Sequence, residues 1–264
     1  MKKNITIPVL SALTLLMFIS CKKYTRQLQN VELESKAYLK VIHAAPGFTQ
    51  VLNAPDNFNV LVGGVGGQRI AASMTYNSAF PSNTINTNTY AAVPSGAQDI
   101  RLVAKGVINI DSVTIAAFPK NLEAGAYYTL VVTDSITTTP NAQKIWSEDA
   151  VSWPNSGVYS LRFIHSVMND TAGKTVDVYS ARKGGNVFSN VSPGTVLNFA
   201  EQPYSNFADT LIIRRSGVTT WDLARINGVS FRDRRVYTVL YKGNTTITAT
   251  SNARVRSVVV YNNR

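Results

Sequence analysis

Residues 39–44, LKVIHA, recur at residues 161–166 as LRFIHS, and this repetition decides the fold. In each copy the apolar residues and the histidine alternate with other side chains, which is the pattern of a β-strand with one buried face. We expect the opposite face of each strand to expose a basic side chain at the same place, Lys40 in the first copy and Arg162 in the second.

Three further blocks recur in the same order, namely 59–62 with 177–180, 100–103 with 211–214, and 127–132 with 236–241. The offset falls from 122 residues (His43 to His165) to 109 residues (Tyr128 to Tyr237), so the second copy has shorter loops. A repeat of this length indicates duplication of a domain of ordinary size rather than a solenoid.

Short β-branched and aromatic runs, separated by Gly, Pro, Asn and Asp clusters, fill each copy. A spacing of about 8–12 residues between such clusters is typical of all-β sandwiches and barrels. We therefore predict an all-β chain of two tandem immunoglobulin-like antiparallel β-sandwiches. The first covers residues 37–155 and the second residues 156–264, with the boundary near Asn155.

The N-terminus predicts export and lipid attachment. Two lysines precede a largely apolar run at residues 5–19, which is the pattern of a secretory signal peptide over residues 1–20. The following FISC, residues 18–21, resembles a bacterial lipobox, which implies that Cys21 carries diacylglycerol. An ordinary signal peptide with an incidental cysteine is the alternative. Residues 21–36 would form a lipidated tether, and we expect a lipid-anchored envelope protein, in the outer membrane of a Gram-negative bacterium.

Three segments of the two copies also resemble segments of a known family. The blocks KVIHAAP (40–46), RFIHS (162–166) and VDVY (176–179) resemble the domain-of-unknown-function 4397 family. The similarity extends over most of residues 37–255, although the second copy lacks the Ala-Pro that follows the first histidine. The resemblance implies a secreted or lipid-anchored bacterial protein with one or two copies of the domain. It implies no activity and no ligand.

Composition excludes several classes of site. A single cysteine in 264 residues rules out a disulfide framework and a thiolate zinc site. His43 and His165 occupy the same strand position in the two copies, where they could carry protons or bind metal. We expect instead that each imidazole lies at the end of the core and hydrogen-bonds a turn, so that both serve as structural markers of the repeat. No Gly-x-Ser-x-Gly motif is present, and we expect no catalytic residue, metal or cofactor.

Charge is concentrated in the second copy. Residues 37–140 have a net charge of zero, whereas residues 157–264 have a net charge of +8. Such a surface could bind an acidic polysaccharide, a lipopolysaccharide phosphate or another polyanion. Alternatively, arginine only keeps the domain soluble, and nucleic acid is disfavoured by the export signal. The candidate anion-binding residues are Arg214, Arg215, Arg232, Arg234 and Arg235.

Three tryptophans could stack on sugars. We expect Trp146 and Trp153, which flank the connector, to pack the two domains together, and Trp221 to pack in the core or at a sheet edge.

These observations favour a non-enzymatic, lipid-anchored envelope protein that acts as a binding or spacer module. The expected partners are the membrane, through the lipid, and an acidic glycan or another envelope protein. A polyanion- or glycan-binding protein that uses the basic second domain is the alternative. A hydrolase of envelope carbohydrate is a third hypothesis, but no pair of carboxylates stands out.

Overall fold

The computed structural model describes residues 35–46, 57–64, 66–82, 89–104, 114–133, 144–170 and 174–264. Every regular element in these ranges is a β-strand, so the all-β prediction is confirmed. No helix in the same ranges has the length and apolarity to span a membrane. Internal contacts group Ser35–Arg264 as one compact unit. The predicted signal peptide and Cys21 lie outside the described residues.

The first repeat supplies strands β1 to β9. They are β1 (Lys36–Ala44), β2 (Asn57–Val62), β3 (Gln68–Thr75), β4 (Ala79–Phe80), β5 (Ala91–Pro94), β6 (Gly96–Ala104), β7 (Thr114–Leu122), β8 (Tyr127–Thr133) and β9 (Lys144–Glu148). One sheet has the order β4-β1-β8-β9, with β5 also paired to β1, and the other has the order β3-β2-β6-β7.

The second repeat supplies strands β10 to β17. They are β10 (Val158–His165), β11 (Val176–Ser180), β12 (Gly185–Val191), β13 (Ala200–Pro203), β14 (Asp209–Arg215), β15 (Asp222–Val229), β16 (Val236–Lys242) and β17 (Ser257–Asn262). Its sheets have the orders β13-β10-β16-β17 and β12-β11-β14-β15. These correspond strand for strand to the two sheets of the first repeat when β5 is left out. The four recurring sequence blocks lie in equivalent strands.

The sheets are not purely antiparallel, which corrects that part of the prediction. β1 pairs with β8 in parallel, and β10 pairs with β16 in parallel, while the other ladders are antiparallel. The chain passes through the opposite sheet between these strands, and so long a connection allows them to run the same way. The registers agree as well, because Lys40 lies opposite Thr129 and Arg162 opposite Thr238.

Each repeat buries an apolar layer between its two sheets. In the first repeat Leu39 and Val41 of β1 share a core with Phe58 of β2 and Leu102 of β6. An equivalent core contains Leu161, Phe163, Val178 and Ile213 in the second repeat. A third apolar cluster combines residues of both repeats: Ile42, Ala44, Val131, Ile145, Ile164, Leu240 and Tyr261. Strands β1 and β10 are therefore buried on both faces.

A tyrosine fixes the loop before the last parallel strand in both repeats. The Tyr128 hydroxyl accepts a hydrogen bond from the backbone N of Glu123 at 3.0 Å, and the Tyr237 hydroxyl accepts one from the backbone N of Arg232 at 2.9 Å. The spacing of five residues is the same in both. This contact resembles the tyrosine corner of β-sandwiches, and in the second repeat it holds a loop rich in arginine.

Candidate functional site

A buried polar cluster joins the first sheets of the two repeats. The Arg162 guanidinium donates to both carboxylate oxygens of Asp149, at 2.5 and 2.9 Å, and to Thr238 Oγ1 at 2.8 Å. Asp149 also accepts hydrogen bonds from Thr129 Oγ1 at 2.5 Å and the Tyr90 hydroxyl at 2.6 Å. Arg162 is only 1% exposed, so the expectation that it faces solvent is wrong. The opposing repeat covers the face on which it lies.

Lys40 is buried at the equivalent position, which corrects the expectation for the first copy as well. Its Nζ donates to the backbone O of Asn262 at 2.6 Å and lies 5.1 Å from the centre of the Tyr90 ring. Burial lowers the pKa of Lys40 to about 7, although the nearby Asp149 carboxylate acts in the opposite direction. Both basic side chains thus belong to the contact between the repeats.

The two histidines are fully buried. His43 Nδ1 accepts a hydrogen bond from the backbone N of Ala45 at 3.4 Å, and burial lowers the pKa of His43 to about 3. His165 Nδ1 lies 3.2 Å from the backbone O of Val191, and its Nε2 lies 3.4 Å from Asp170. The described part of the chain contains no group of three or more His, Cys, Asp or Glu side chains that could hold a metal.

Two of the five candidate arginines are already paired with carboxylates. Arg214 Nε donates to Asp222 Oδ1 at 3.2 Å, and its guanidinium lies 4.2 Å from the centre of the Tyr179 ring. Arg215 pairs through both terminal nitrogens with Asp170, with Nη1 at 2.9 Å from Oδ2. Because these charges are offset within the protein, neither arginine is well placed to bind an external anion.

The other three candidates lie at the opposite end of the second repeat. Arg232, Arg234 and Arg235 connect β15 to β16, and the last residue of β15, Val229, lies opposite Asp209, the first residue of β14. Arg214 and Arg215 end β14, whose seven residues extend about 20 Å. The structure therefore separates the predicted arginines into two groups.

Three further cations, which the sequence did not single out, lie at the same end of the second repeat. Arg182 and Lys183 follow β11, and the backbone N of Arg182 donates to Asp209 Oδ1 at 3.0 Å. The backbone O of Arg264 accepts a hydrogen bond from the N of Val236 at the start of β16. We call this surface the basic end and define it by Arg182, Lys183, Arg232, Arg234, Arg235 and Arg264. Among the described residues none of these six forms an ion pair.

Backbone hydrogen bonds hold the arginine loop in place. Besides the contact of Arg232 with Tyr237, the backbone N of Arg234 donates to the O of Val158 at 2.8 Å. Arg234 has a φ of 58°, a left-handed conformation that is uncommon for a residue other than glycine. The side chains of Arg232 and Arg234 are exposed, so the loop presents two guanidinium groups to solvent on a fixed backbone.

Exposed aromatic rings lie among these cations. Trp153 is 53% exposed and has the guanidinium carbons of Arg235 and Arg264 at 5.7 and 4.7 Å from its ring. Tyr204 is 37% exposed, and Phe207, in the loop that leads to β14, is 78% exposed. Rings and cations together suit a ligand with both apolar faces and negative charge.

The remaining tryptophans differ from expectation. Trp146 packs against the core of the first repeat and stacks on Tyr128 at 6.1 Å, so it does not join the two repeats as predicted. Trp153, in contrast, does contact the second repeat, through Arg235 and Arg264. Trp221 is 76% exposed, so of the two expected places it does not occupy the core; it directly precedes β15, the strand at the edge of its sheet.

Concave surfaces follow the connector between the repeats. A cavity of about 380 Å³ is lined by Ser147, Arg162, Phe199 and Glu201 among others, and a shallower one of about 580 Å³ extends from Gly125 to Ser152. The guanidinium in the first cavity is already bound to Asp149, so it offers little free charge to a ligand.

Two solved structures are similar to this chain at low sequence identity. No family model matches the chain, and no curated protein matches it. Among solved structures, the Bacillus anthracis TIE protein is similar with 10% identity and a TM-score of 0.22, covering 86% of this chain and 44% of that one. A candidate cell adhesion protein from Bacteroides eggerthii is similar with 14% identity and a TM-score of 0.22, covering 86% and 96%. The chain thus spans less than half the length of the Bacillus protein.

Proposed function

We propose that the protein is a non-enzymatic, lipid-anchored protein of the cell envelope that binds a polyanionic glycan through the basic end. Six cations lie at one end of the second repeat, and among the described residues none of them forms an ion pair; this arrangement supports the proposal. They come from the turn after β11, the loop before β16 and the C-terminal segment.

The chemistry of the basic end favours carboxylates and sulfates on a sugar polymer. Guanidinium groups match such anions with two parallel hydrogen bonds, and five of the six cations are arginines. The ring of Trp153 and those of Tyr204 and Phe207 offer apolar faces beside the charges. A surface that combined cations with only small polar residues would suit free phosphate equally well, but the exposed rings favour a ligand built of sugar rings.

The N-terminal pattern supports an anchored binding module. A diacylated Cys21 would hold the chain at the membrane, because each buried CH₂ of the lipid contributes about 0.8 kcal/mol. The polar segment that follows would let the folded part reach a glycan away from the lipid surface. If no ligand binds, the same architecture would serve as a spacer.

Binding of the full chain in detergent to polygalacturonate, measured by calorimetry at two salt concentrations, tests the proposal. Dextran serves as the neutral control. We expect binding to polygalacturonate alone, weakened about tenfold or more at 0.5 M salt, because exposed charges are screened over about 10 Å at 0.1 M and over shorter distances at higher salt. Absence of binding, or binding that does not change with salt, would contradict the proposal.

A further inference from the structure

A small aromatic cleft lies where the first sheets of the two repeats meet. It has a volume of about 240 Å³ and is lined by Tyr38, Thr89, Tyr90, Ala92, Tyr127, Asn263 and Arg264. The first repeat supplies the three tyrosines, and the second supplies the asparagine and the arginine. Since clefts for drug-sized ligands usually enclose about 300–1,000 Å³, this one suits a single small ring.

Two of the tyrosines that line the cleft stack on each other. Tyr38 and Tyr127 are directly paired at the start of the parallel strands β1 and β8, and their rings stack with centres 4.7 Å apart and planes 16° apart. The Tyr90 ring meets Tyr127 edge-on at 5.0 Å. Tyr38 and Tyr127 remain half-buried, so part of each ring is accessible. The aromatic surface that the stack leaves uncovered can pack against the apolar C–H face of a sugar.

The polar wall of the cleft is already ordered. The Tyr90 hydroxyl donates to Asp149 at 2.6 Å and accepts from Asn263 Nδ2 at 2.5 Å, while Thr89 Oγ1 donates to the backbone O of Asn263 at 2.6 Å. The Asp149 carboxylate is buried and bound by Arg162, which offsets its charge. A ligand would therefore not have to order this wall, which lowers the cost of binding.

Arg264 supplies a cation at the rim of the cleft. Its Nη1 lies 3.3 Å from the backbone O of Val151, and its guanidinium lies 4.7 Å from the centre of the Trp153 ring. The side chain is partly exposed, so donors remain for a ligand. Because Arg264 also belongs to the basic end, the cleft is continuous with that surface.

We propose that this cleft is the subsite for one acidic sugar ring, such as a uronic acid, within the polyanionic glycan. The ring lies against Tyr38 and Tyr127, and its carboxylate pairs with Arg264. This inference rests on the proposed function and adds to it the position and the chemical class of one recognised residue. The remaining anionic residues of the polymer extend over the basic end.

Calorimetry of the full chain in detergent with trigalacturonic acid tests the subsite. Tyr38→Leu and Tyr127→Leu should each weaken binding about threefold to tenfold, because each removes a ring face, whereas Tyr38→Phe should retain it. Arg264→Gln should weaken binding of trigalacturonic acid by a similar factor. Maltotriose, which has no carboxylate, should bind at least about tenfold more weakly than the acidic trisaccharide.

The outcomes separate this subsite from the proposed function. Leucine variants that bind trigalacturonic acid as the wild type does would overturn the subsite, and so would equal binding of maltotriose. If a leucine variant fails to fold, as judged by circular dichroism, the Arg264→Gln variant decides, and unchanged binding overturns the subsite. The proposed function would survive either result as long as the wild type still binds polygalacturonate, and it would fail if the wild type does not.

Discussion

Arg162 and Asp149 form a bidentate ion pair that is almost completely removed from solvent, with hydrogen bonds of 2.5 and 2.9 Å. Arg162 belongs to the first strand of the second repeat, and Asp149 follows the last strand of the first. Since Thr129 and Thr238 from the equivalent strands β8 and β16 complete the cluster, the pair ties the repeats together at their shared face.

Breaking this pair from one side should destabilise the fold strongly. Asp149→Asn leaves the Arg162 guanidinium buried without a counter-charge, which we expect to lower the free energy of unfolding by about 3–5 kcal/mol. The double variant Asp149→Leu/Arg162→Met removes both charges and should recover most of that loss. Urea unfolding checks both values. A single variant as stable as the wild type would contradict the structural role of the pair.

Lys40 should make stability depend on pH in the neutral to alkaline range. Burial lowers its pKa in the folded protein from 10.5 to about 7, so between these values the unfolded chain binds a proton that the native protein does not. Stability therefore rises with pH from about 7 towards 10. Lys242 contributes in the same direction, because burial lowers its pKa to about 8.

The variant Lys40→Met isolates this contribution. Its unfolding free energy should exceed that of the wild type most clearly at pH 6–7, and its rise towards pH 9.5 should be smaller. Lys174→Met, at an exposed lysine, is the matched control and should keep the wild-type profile. Parallel pH profiles for the wild type and Lys40→Met would show that Lys40 is charged and solvated in the fold.

His43 should stay neutral in the native protein under mildly acidic conditions. Burial is the main cause that lowers its pKa to about 3, and the positive charges of Arg254 and Lys242 add to it. The unfolded chain binds a proton near pH 6.5, so stability contributed by neutral His43 is lost as the pH falls from 6.5 towards 3.

Proton NMR of the two imidazoles measures this directly. The His43 resonance, assigned with His43→Gln, should keep its neutral chemical shift down to pH 4. A titration midpoint above pH 5 in the folded protein would contradict the buried environment.

The strand pattern allowed the fold to be predicted, but it could not show what covers the second face of β1 and β10. Alternation assigned Leu39 and Val41 to one face correctly, and both lie in the first core. It treated Lys40 and Arg162 as exposed because a basic residue opposite a core face normally meets water. The contact between the repeats depends on tertiary packing, which period-2 alternation does not encode.

The residues of the basic end could likewise be predicted from the sequence only in part. Arg232, Arg234 and Arg235 are adjacent in sequence, so their cluster could be recognised in advance. Arg182 and Arg264 are far from them along the chain and lie at the same end only because β11 pairs with β14, β14 with β15, and β17 with β16. Arg214 and Arg215 both pair with carboxylates. The pairing of Arg215 could not be predicted from the sequence, because its partner Asp170 lies 45 residues before it.

The proposed lipid anchor predicts a change of location when Cys21 is replaced. Cys21→Ser should abolish incorporation of labelled palmitate and move the protein from the membrane fraction to the soluble fraction. This follows because the cysteine is the only thiol in the chain. Labelling that persists in the variant, or a wild type without label, would contradict lipidation at this position.

The most direct test of glycan binding compares two double variants that lose the same charge. Arg232→Ser/Arg234→Asn removes two exposed cations from the basic end, and asparagine suits the left-handed backbone at position 234. Lys174→Ser/Arg225→Ser removes two cations elsewhere on the second repeat. With polygalacturonate at low salt, the first variant should bind about tenfold more weakly than the wild type, while the second should change less than about twofold. Equal losses in the two variants would contradict a site at the basic end.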